Sequence, residues 1–192
     1  MPPKAKITKG NIIEASFKLV RNGGISALNA RAIANELKCS TQPIFRLYAT
    51  MEEVKTDVIA AIGEYYSKYF DEHINRGDLP PYKSTGLAYI QFAKDEKELF
   101  KILFMRDRTG EEIQSGEHSF DIAVKMIMNI TGLDYDAAER FHFEMWIFTH
   151  GIATMIATSY LDMGEDLISE AMSDAYQGMV RLYKKNEEGK QG

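Results

Sequence analysis

The residues between positions 40 and 48 combine hydrogen-bonding and apolar side chains at helical spacing. Gln42 carries the paired donor and acceptor that match an adenine edge, and Arg46 can bind a guanine edge or a phosphate. Thr41 can donate or accept a hydrogen bond beside them. Each of these side chains could also be a solvated surface group, so the chemistry depends on the elements that position them.

Two short predicted helices position this segment. Asn29 can cap a helix over residues 30–37, and Lys38 begins a tight turn. Ser40 can then cap a third helix over residues 41–48. Two short helices joined in this way are typical of a helix-turn-helix, whose second helix enters the major groove of DNA.

The third predicted helix has an apolar face and a polar face. Ile44, Leu47 and Tyr48 are spaced to point inward, which leaves the polar residues of the segment pointing outward. Arg31 and Lys9 lie where they could hold flanking phosphates. The sequence therefore predicts binding of double-stranded DNA.

The rest of the chain also has helical periodicity, and no segment alternates convincingly as a strand does. We predict an all-α fold of about nine helices, with a three-helix DNA-binding head and a larger helical domain. Besides the two short helices, the predicted ones cover residues 8–22, 51–75, 84–94, 97–106, 119–131, 136–160 and 165–186.

Charge is unevenly distributed along the 192 residues. Residues 1–50 hold eight basic and two acidic groups, a net charge of +6, whereas the other 142 residues hold 15 basic and 26 acidic groups, a net charge of −11. Only the basic segment is suited to meet phosphates. The single cysteine, Cys39, favours a reducing cytoplasm, and we expect no membrane span.

The run STQPIFRLYATMEEV at residues 40–54 resembles the signature of TetR-type transcriptional regulators, as does NARAIA at residues 29–34. The resemblance implies a DNA-binding domain over residues 1–50 and an effector-binding and dimerisation domain over residues 51–192. It also implies a homodimer on a palindromic operator. The predicted DNA-binding residues are Lys9, Arg31, Ser40, Thr41, Gln42, Pro43, Phe45, Arg46, Tyr48 and Lys55.

Three positions depart from the family pattern. Lys38 stands in the turn where glycine is usual, and Met51 stands where the fourth helix usually begins with lysine. Phe45 replaces the usual phosphate-contacting tyrosine and cannot donate a hydrogen bond. We expect Arg46 and Lys55 to take over part of the phosphate binding.

The segment WIFTHGIA at residues 146–153 resembles the Trp–His–Gly segment of one subgroup of TetR-type C-terminal domains. Aromatic residues and methionines in this part of the chain could line an effector pocket, although they could equally be ordinary core. The predicted pocket residues are Tyr66, Phe70, Phe92, Phe104, Met126, His142, Met145, Trp146 and His150. The resemblance implies a repressor that a small, partly apolar effector releases from its operator.

Two other functions are compatible with a helical chain. Glu139 and His142 have the Glu-x-x-His spacing of helical metal-carboxylate enzymes, but a di-iron site needs a second such motif. A helical adaptor could instead use the basic segment to bind acidic proteins. The sequence has no glycine-rich phosphate loop, paired-cysteine zinc site or nucleophile elbow, so we expect no enzyme activity, cofactor or metal.

Overall fold

The computed structural model describes residues 7–74, 79–107, 109 and 117–188. The described residues form nine α helices and one short 3-10 helix, and they contain no strand, so the all-α prediction is confirmed. The helices are α1 (Lys9–Gly23), α2 (Ala30–Glu36), α3 (Gln42–Leu47), α4 (Met51–Ile74), α5 (Pro81–Asp95), α6 (Lys97–Phe104), α7 (Glu117–Thr131), α8 (Tyr135–Ala157) and α9 (Glu165–Glu188), and the 3-10 helix is Ile25–Ala27.

Side-chain caps begin several of these helices. Asn29 accepts a hydrogen bond from the Ala32 amide at 2.9 Å, and the Thr50 hydroxyl accepts one from the Glu53 amide at 3.3 Å. Both caps confirm the sequence prediction. The predicted cap at Ser40 is wrong, because α3 begins one residue later and Thr41 precedes it without a capping side-chain bond.

Two predicted helix boundaries are also wrong. Helix α5 begins at Pro81 rather than at residue 84, because proline has a helical φ and its missing N–H costs nothing in a first turn. Helix α8 ends at Ala157 rather than at residue 160. Ser159 has a φ of 56°, which is incompatible with continuing a right-handed helix.

The first compact unit comprises Met1–Tyr69 and Asp95–Arg106, so it contains α1 to α3, most of α4, and α6. Helix α6 packs on α1 at a close approach, where a Cβ on Gly24 would lie 2.6 Å from Glu98 Oε2. The unit is therefore larger than the predicted 50-residue head. Its fully buried side chains include Ile12, Val20, Ile33, Ile44, Val54, Val58, Ile62, Leu99 and Phe100.

The second compact unit comprises Phe70–Lys94 and Asp107–Gly192, and it contains α5 and α7 to α9. Helices α7 and α8 form a hairpin in which Gly132 has a φ of 78°, a conformation that favours glycine. Side chains from all four helices form the core of this unit, which includes Phe92, Val124, Ile127, Phe141, Met145, Ala153, Ile168 and Met172. In the part of the chain that is described, no helix is long and apolar enough to cross a membrane.

Candidate DNA-binding surface

The turn between α2 and α3 has the tight geometry that the sequence predicts. Lys38 has a φ of 51°, in the left-handed region where glycine is usual. The amides of Lys38 and Cys39 donate to the carbonyls of Asn35 and Ala34 at 3.1 and 2.9 Å. These bonds close the end of α2 and reverse the chain into α3.

Helix α3 has one face in the core and one face in solvent. Ile44 is fully buried, which confirms the predicted inward face. Gln42 and Arg46 are exposed, and so is Phe45. Pro43 lies in the first turn and is half-buried. The structure therefore presents the two side chains best suited to base edges together on a short, firmly packed helix.

Tyr48 lies in a different place from the other predicted DNA contacts. Its ring is only 2% exposed, and its hydroxyl donates a hydrogen bond of 2.8 Å to Asp57 Oδ2 on α4. Burial and this bond together raise the pKa of Tyr48 well above its usual value. The side chain of Tyr48 therefore belongs to the core of the first unit and has little surface for a contact with DNA.

The flanking basic residues differ in their surroundings. Arg31 is exposed in the first turn of α2, and neither it nor Arg46 forms an ion pair with a described residue. The Lys9 ammonium lies 4.4 Å from the centroid of the Tyr48 ring. Lys55 is half-buried and lies 3.5 Å from Glu52. Arg31 is thus the most available of the flanking cations.

A buried carboxylate links three helices of the first unit. Glu96, 5% exposed, accepts hydrogen bonds from Arg21 on α1 and from Tyr65 on α4. The Arg21 Nε–Glu96 Oε2 distance is 2.7 Å, and the Tyr65 hydroxyl lies 2.8 Å from Glu96 Oε1. Tyr69 donates to the neighbouring Asp95 at 2.6 Å. Helix α4, which leaves the DNA-binding segment, is therefore held to α1 and α6 by charge-assisted bonds.

Two tyrosine–histidine pairs link α5 to α8 in the second unit. The Tyr82 hydroxyl lies 2.9 Å from His142 Nδ1, and the Tyr89 hydroxyl lies 2.8 Å from His150 Nδ1. Burial lowers the pKa of His142 to about 4 and also lowers the pKa of His150. Burial therefore disfavours the protonated form of both imidazoles. Trp146 stacks on His150 with ring centroids 5.3 Å apart.

The predicted effector-pocket residues do not form one cluster within a single unit. Tyr66 and Phe104 belong to the first unit, where their rings meet edge to face at 5.1 Å. The other seven belong to the second unit. Of these, Phe92 and Met145 are buried, whereas Trp146 is 44% exposed. The remaining members are half-buried: Phe70, Met126, His142 and His150.

The predicted Glu-x-x-His motif has no further acidic, histidine or cysteine partners among the described residues. Glu139 is exposed, and His142 bonds to Tyr82 through Nδ1. Across the described ranges, no group of three or more such side chains is arranged to hold a metal ion.

Sequence reasoning missed the bond partners of Tyr48 and the whole Glu96 cluster. Arg21 and Glu96 are 75 positions apart, and Tyr82 and His142 are 60 apart. The one sequence signal for this cluster is the helical periodicity, which places Tyr65 and Tyr69 on one face of α4. It does not say which helix covers that face.

Comparison with known proteins assigns one segment of the chain to a known domain family. Residues 83–176 match the family model described as the tetracyclin repressor-like C-terminal domain. No curated protein sequence matches the chain.

Solved structures share the fold over nearly the whole chain. A protein of unknown function from Rhodococcus sp. RHA1 has a TM-score of 0.71 at 17% identity, covering 94% of this chain and 98% of its own. A TetR-like transcriptional regulator from the same organism has a TM-score of 0.59 at 12% identity, with coverage of 98% and 99%. A TetR variant from Acinetobacter baumannii AYE, solved with minocycline, has a TM-score of 0.58 at 13% identity, with coverage of 94% and 98%. Residues 83–176 therefore belong to the tetracyclin repressor-like C-terminal domain family, and the chain has the all-helical fold of TetR-like regulators.

Proposed function

We propose that the protein is a DNA-binding transcriptional regulator that reads its operator with α3. The observation that carries this proposal is the geometry of α3, where Ile44 is buried while Gln42 and Arg46 are exposed on the same short helix. This helix lies in the segment of the chain with a net charge of +6. A helix with a buried apolar side and exposed base-reading groups fits the major groove.

The proposed contacts divide into reading and holding residues. Gln42 and Arg46 read base edges, with Thr41, Pro43 and Phe45 against the groove wall. Phe45 is 50% exposed and has no hydroxyl, so it offers an apolar surface to thymine methyl groups or sugars. The holding residues, which contact phosphates, are Lys9, Arg31, Ser40 and Lys55. The basic charge of this segment favours such contacts.

We further propose that the protein acts as a homodimer through α8 and α9. Both helices carry large apolar side chains that are about half exposed: Phe143 and Ile147 on α8, and Leu167 and Leu182 on α9. Exposed apolar groups in such number on neighbouring helices indicate a surface that another protein covers. A two-fold dimer would present two copies of α3 to a palindromic operator.

Effector control is the third part of the proposal. The second unit contains aromatic side chains and the half-buried His142 and His150, which suit a small, partly apolar effector. The related TetR from Acinetobacter baumannii was solved with minocycline. We propose that an effector of this chain lowers its affinity for DNA and so ends repression. The same coupling energy, commonly about 1–3 kcal/mol, then makes DNA lower the affinity for the effector. We infer a non-enzymatic role beside the cell's DNA in the cytoplasm.

The decisive experiment uses the full-length protein and a duplex that it selects from a randomised pool. Gln42→Ala and Arg46→Ala should each weaken binding to the selected duplex about 5- to 150-fold, as expected for loss of a base contact. Lys68→Ala is the matched control, because Lys68 is an exposed cation on α4 outside the proposed surface. Binding that ignores both sequence and salt, or that Lys68→Ala weakens equally, would contradict the proposal and favour the adaptor function.

A further inference from the structure

Tyr48 joins three helices of the first unit at the end of α3. Its amide donates to the Ile44 carbonyl at 3.0 Å, which closes α3. Its hydroxyl donates to Asp57 on α4 at 2.8 Å, and the Lys9 ammonium at the start of α1 lies over its ring. We propose that Tyr48 is a positioning residue, whose bond to Asp57 fixes the angle of α3 on α4 and thereby the fit of Gln42 and Arg46 to the operator. This inference rests on the proposed function.

Core packing accounts for an aromatic ring at position 48, but it does not account for the hydroxyl group. The ring is 2% exposed, and a phenylalanine would fill the same space. The hydroxyl adds a bond to a carboxylate on another helix, and such charge-assisted bonds are short and directional. Because it joins the last turn of α3 to the second turn of α4, it restricts rotation of α3 in a way that apolar packing does not.

Lys9 and Asp57 place opposite charges on the same tyrosine, with the ammonium over the ring and the carboxylate at the hydroxyl. Lys9 is exposed and Asp57 is half-buried. The ammonium 4.4 Å from the ring centroid lies within the range of a cation–π contact. The Lys9–Tyr48–Asp57 arrangement therefore also ties α1, and one of the proposed phosphate contacts, to the position of α3.

A direct role of Tyr48 on DNA is the competing interpretation. A side chain with 2% exposure has almost no surface for a phosphate or a base, and its one donor is already used by Asp57. The positioning role and the direct role predict different salt dependence. A lost phosphate contact lowers the slope of log affinity against log salt by about one, whereas a shift of α3 does not.

The test removes the hydroxyl alone, as Tyr48→Phe, in the full-length protein. Tyr69→Phe is the matched control, because it removes a hydroxyl bonded to Asp95 in the same unit but away from α3. Affinity is measured for the selected duplex and for a scrambled duplex over a range of salt, and unfolding is followed by circular dichroism. We expect Tyr48→Phe to weaken binding to the selected duplex about three- to tenfold. Binding to the scrambled duplex and the salt slope should hardly change, while the unfolding midpoint should fall modestly because the bond to Asp57 is lost.

Asp57→Ala supplies a second variant that acts through the same bond. It should reduce discrimination between the two duplexes, and adding Tyr48→Phe to it should have no further effect, since the bond is already lost. The inference would be overturned if Tyr48→Phe left discrimination between the two duplexes unchanged, or if Tyr69→Phe lost it equally. In either case, selective binding by the wild type would still support the proposed function. A salt slope reduced by about one would overturn it in favour of direct contact. Failure of the wild type to discriminate between duplexes would overturn both proposals.

Discussion

The two compact units differ in the polar contacts between their helices, because all four histidines of the chain belong to the second unit. In the first unit the bonds are charge-assisted: Arg21 and Tyr65 meet the Glu96 carboxylate, and Tyr48 meets Asp57. In the second unit Tyr82 meets His142 and Tyr89 meets His150, alongside charge-assisted contacts such as that of Lys94 with Glu165. The contacts with Glu96 and Asp57 need an ionised carboxylate, whereas the tyrosine–histidine contacts need an unprotonated imidazole.

This difference predicts that the two units lose stability in different ways when a charge is removed or a proton is added. An ionised carboxylate with two donors is costly to leave unpaired, so the first unit depends strongly on single residues such as Glu96. A tyrosine–histidine pair is weaker. It is disrupted when the imidazole takes up a proton. Single substitutions at the buried carboxylate should therefore affect the first unit most, and acid should act on the second unit through His142.

The largest expected effect is at the buried carboxylate of the first unit. Glu96→Gln removes the charge that Arg21 and Tyr65 share, and it should lower the free energy of unfolding by about 2 kcal/mol. Urea unfolding followed by circular dichroism measures this loss. The control Asp95→Asn alters an exposed carboxylate next to it and should cost under about 0.5 kcal/mol. If both variants lost the same free energy of unfolding, the buried contact of Glu96 would contribute no more than the exposed contact of Asp95.

Acid should act on the second unit through His142. Burial lowers the pKa of His142 to about 4 in the folded protein, against 6.5 for an unperturbed histidine. The unfolded chain therefore binds more protons between these values, so stability rises with pH across this window and is lost as pH falls from 6.5 towards 4. Because His142 keeps partial contact with solvent, we expect a loss on the order of 2 kcal/mol.

The measurement is urea unfolding at a series of pH values for the wild type and for His142→Gln. The variant cannot take up a proton at this position, so its stability should fall less on acidification. A pH dependence identical to that of the wild type would show that other groups dominate the acid response, and the proposed contrast between the units would fail.

The smallest expected effect concerns two backbone positions, one in each unit. Lys38 and Ser159 have φ values of 51° and 56°, which side chains other than glycine rarely adopt. Lys38→Gly and Ser159→Gly should each raise the free energy of unfolding by about 0.5–1 kcal/mol, because glycine relieves this strain. Thermal unfolding of both variants measures the gain. Destabilisation by either one would contradict the left-handed geometry at that turn.

The helices of this fold could be predicted because apolar residues recur at helical spacing along most of the chain. The turn at Lys38 and the cap at Asn29 follow from local chemistry, and both are confirmed. The cap at Ser40 was wrong because Ser40 and Thr41 are both plausible caps and only the packing of α3 decides between them. Local sequence does not carry that information.

The polar contacts between helices could not be predicted in the same way. Glu96 follows a short charged run and is typical of a solvated surface residue, yet it is buried because Arg21 and Tyr65 converge on it. Tyr48 was correctly predicted to point inward by its spacing, but its assignment as a DNA contact came from family resemblance. For Tyr48, residue spacing was a better predictor than family resemblance, since spacing reflects the packing of this chain.

The stack of Trp146 on His150 gives the protein a built-in optical reporter. Trp146 is the only tryptophan of the chain, and its indole lies almost parallel to the imidazole, at an angle of 14°. The tryptophan emission therefore comes from one indole on α8, so it reports on the surroundings of that stack in the second unit without any label.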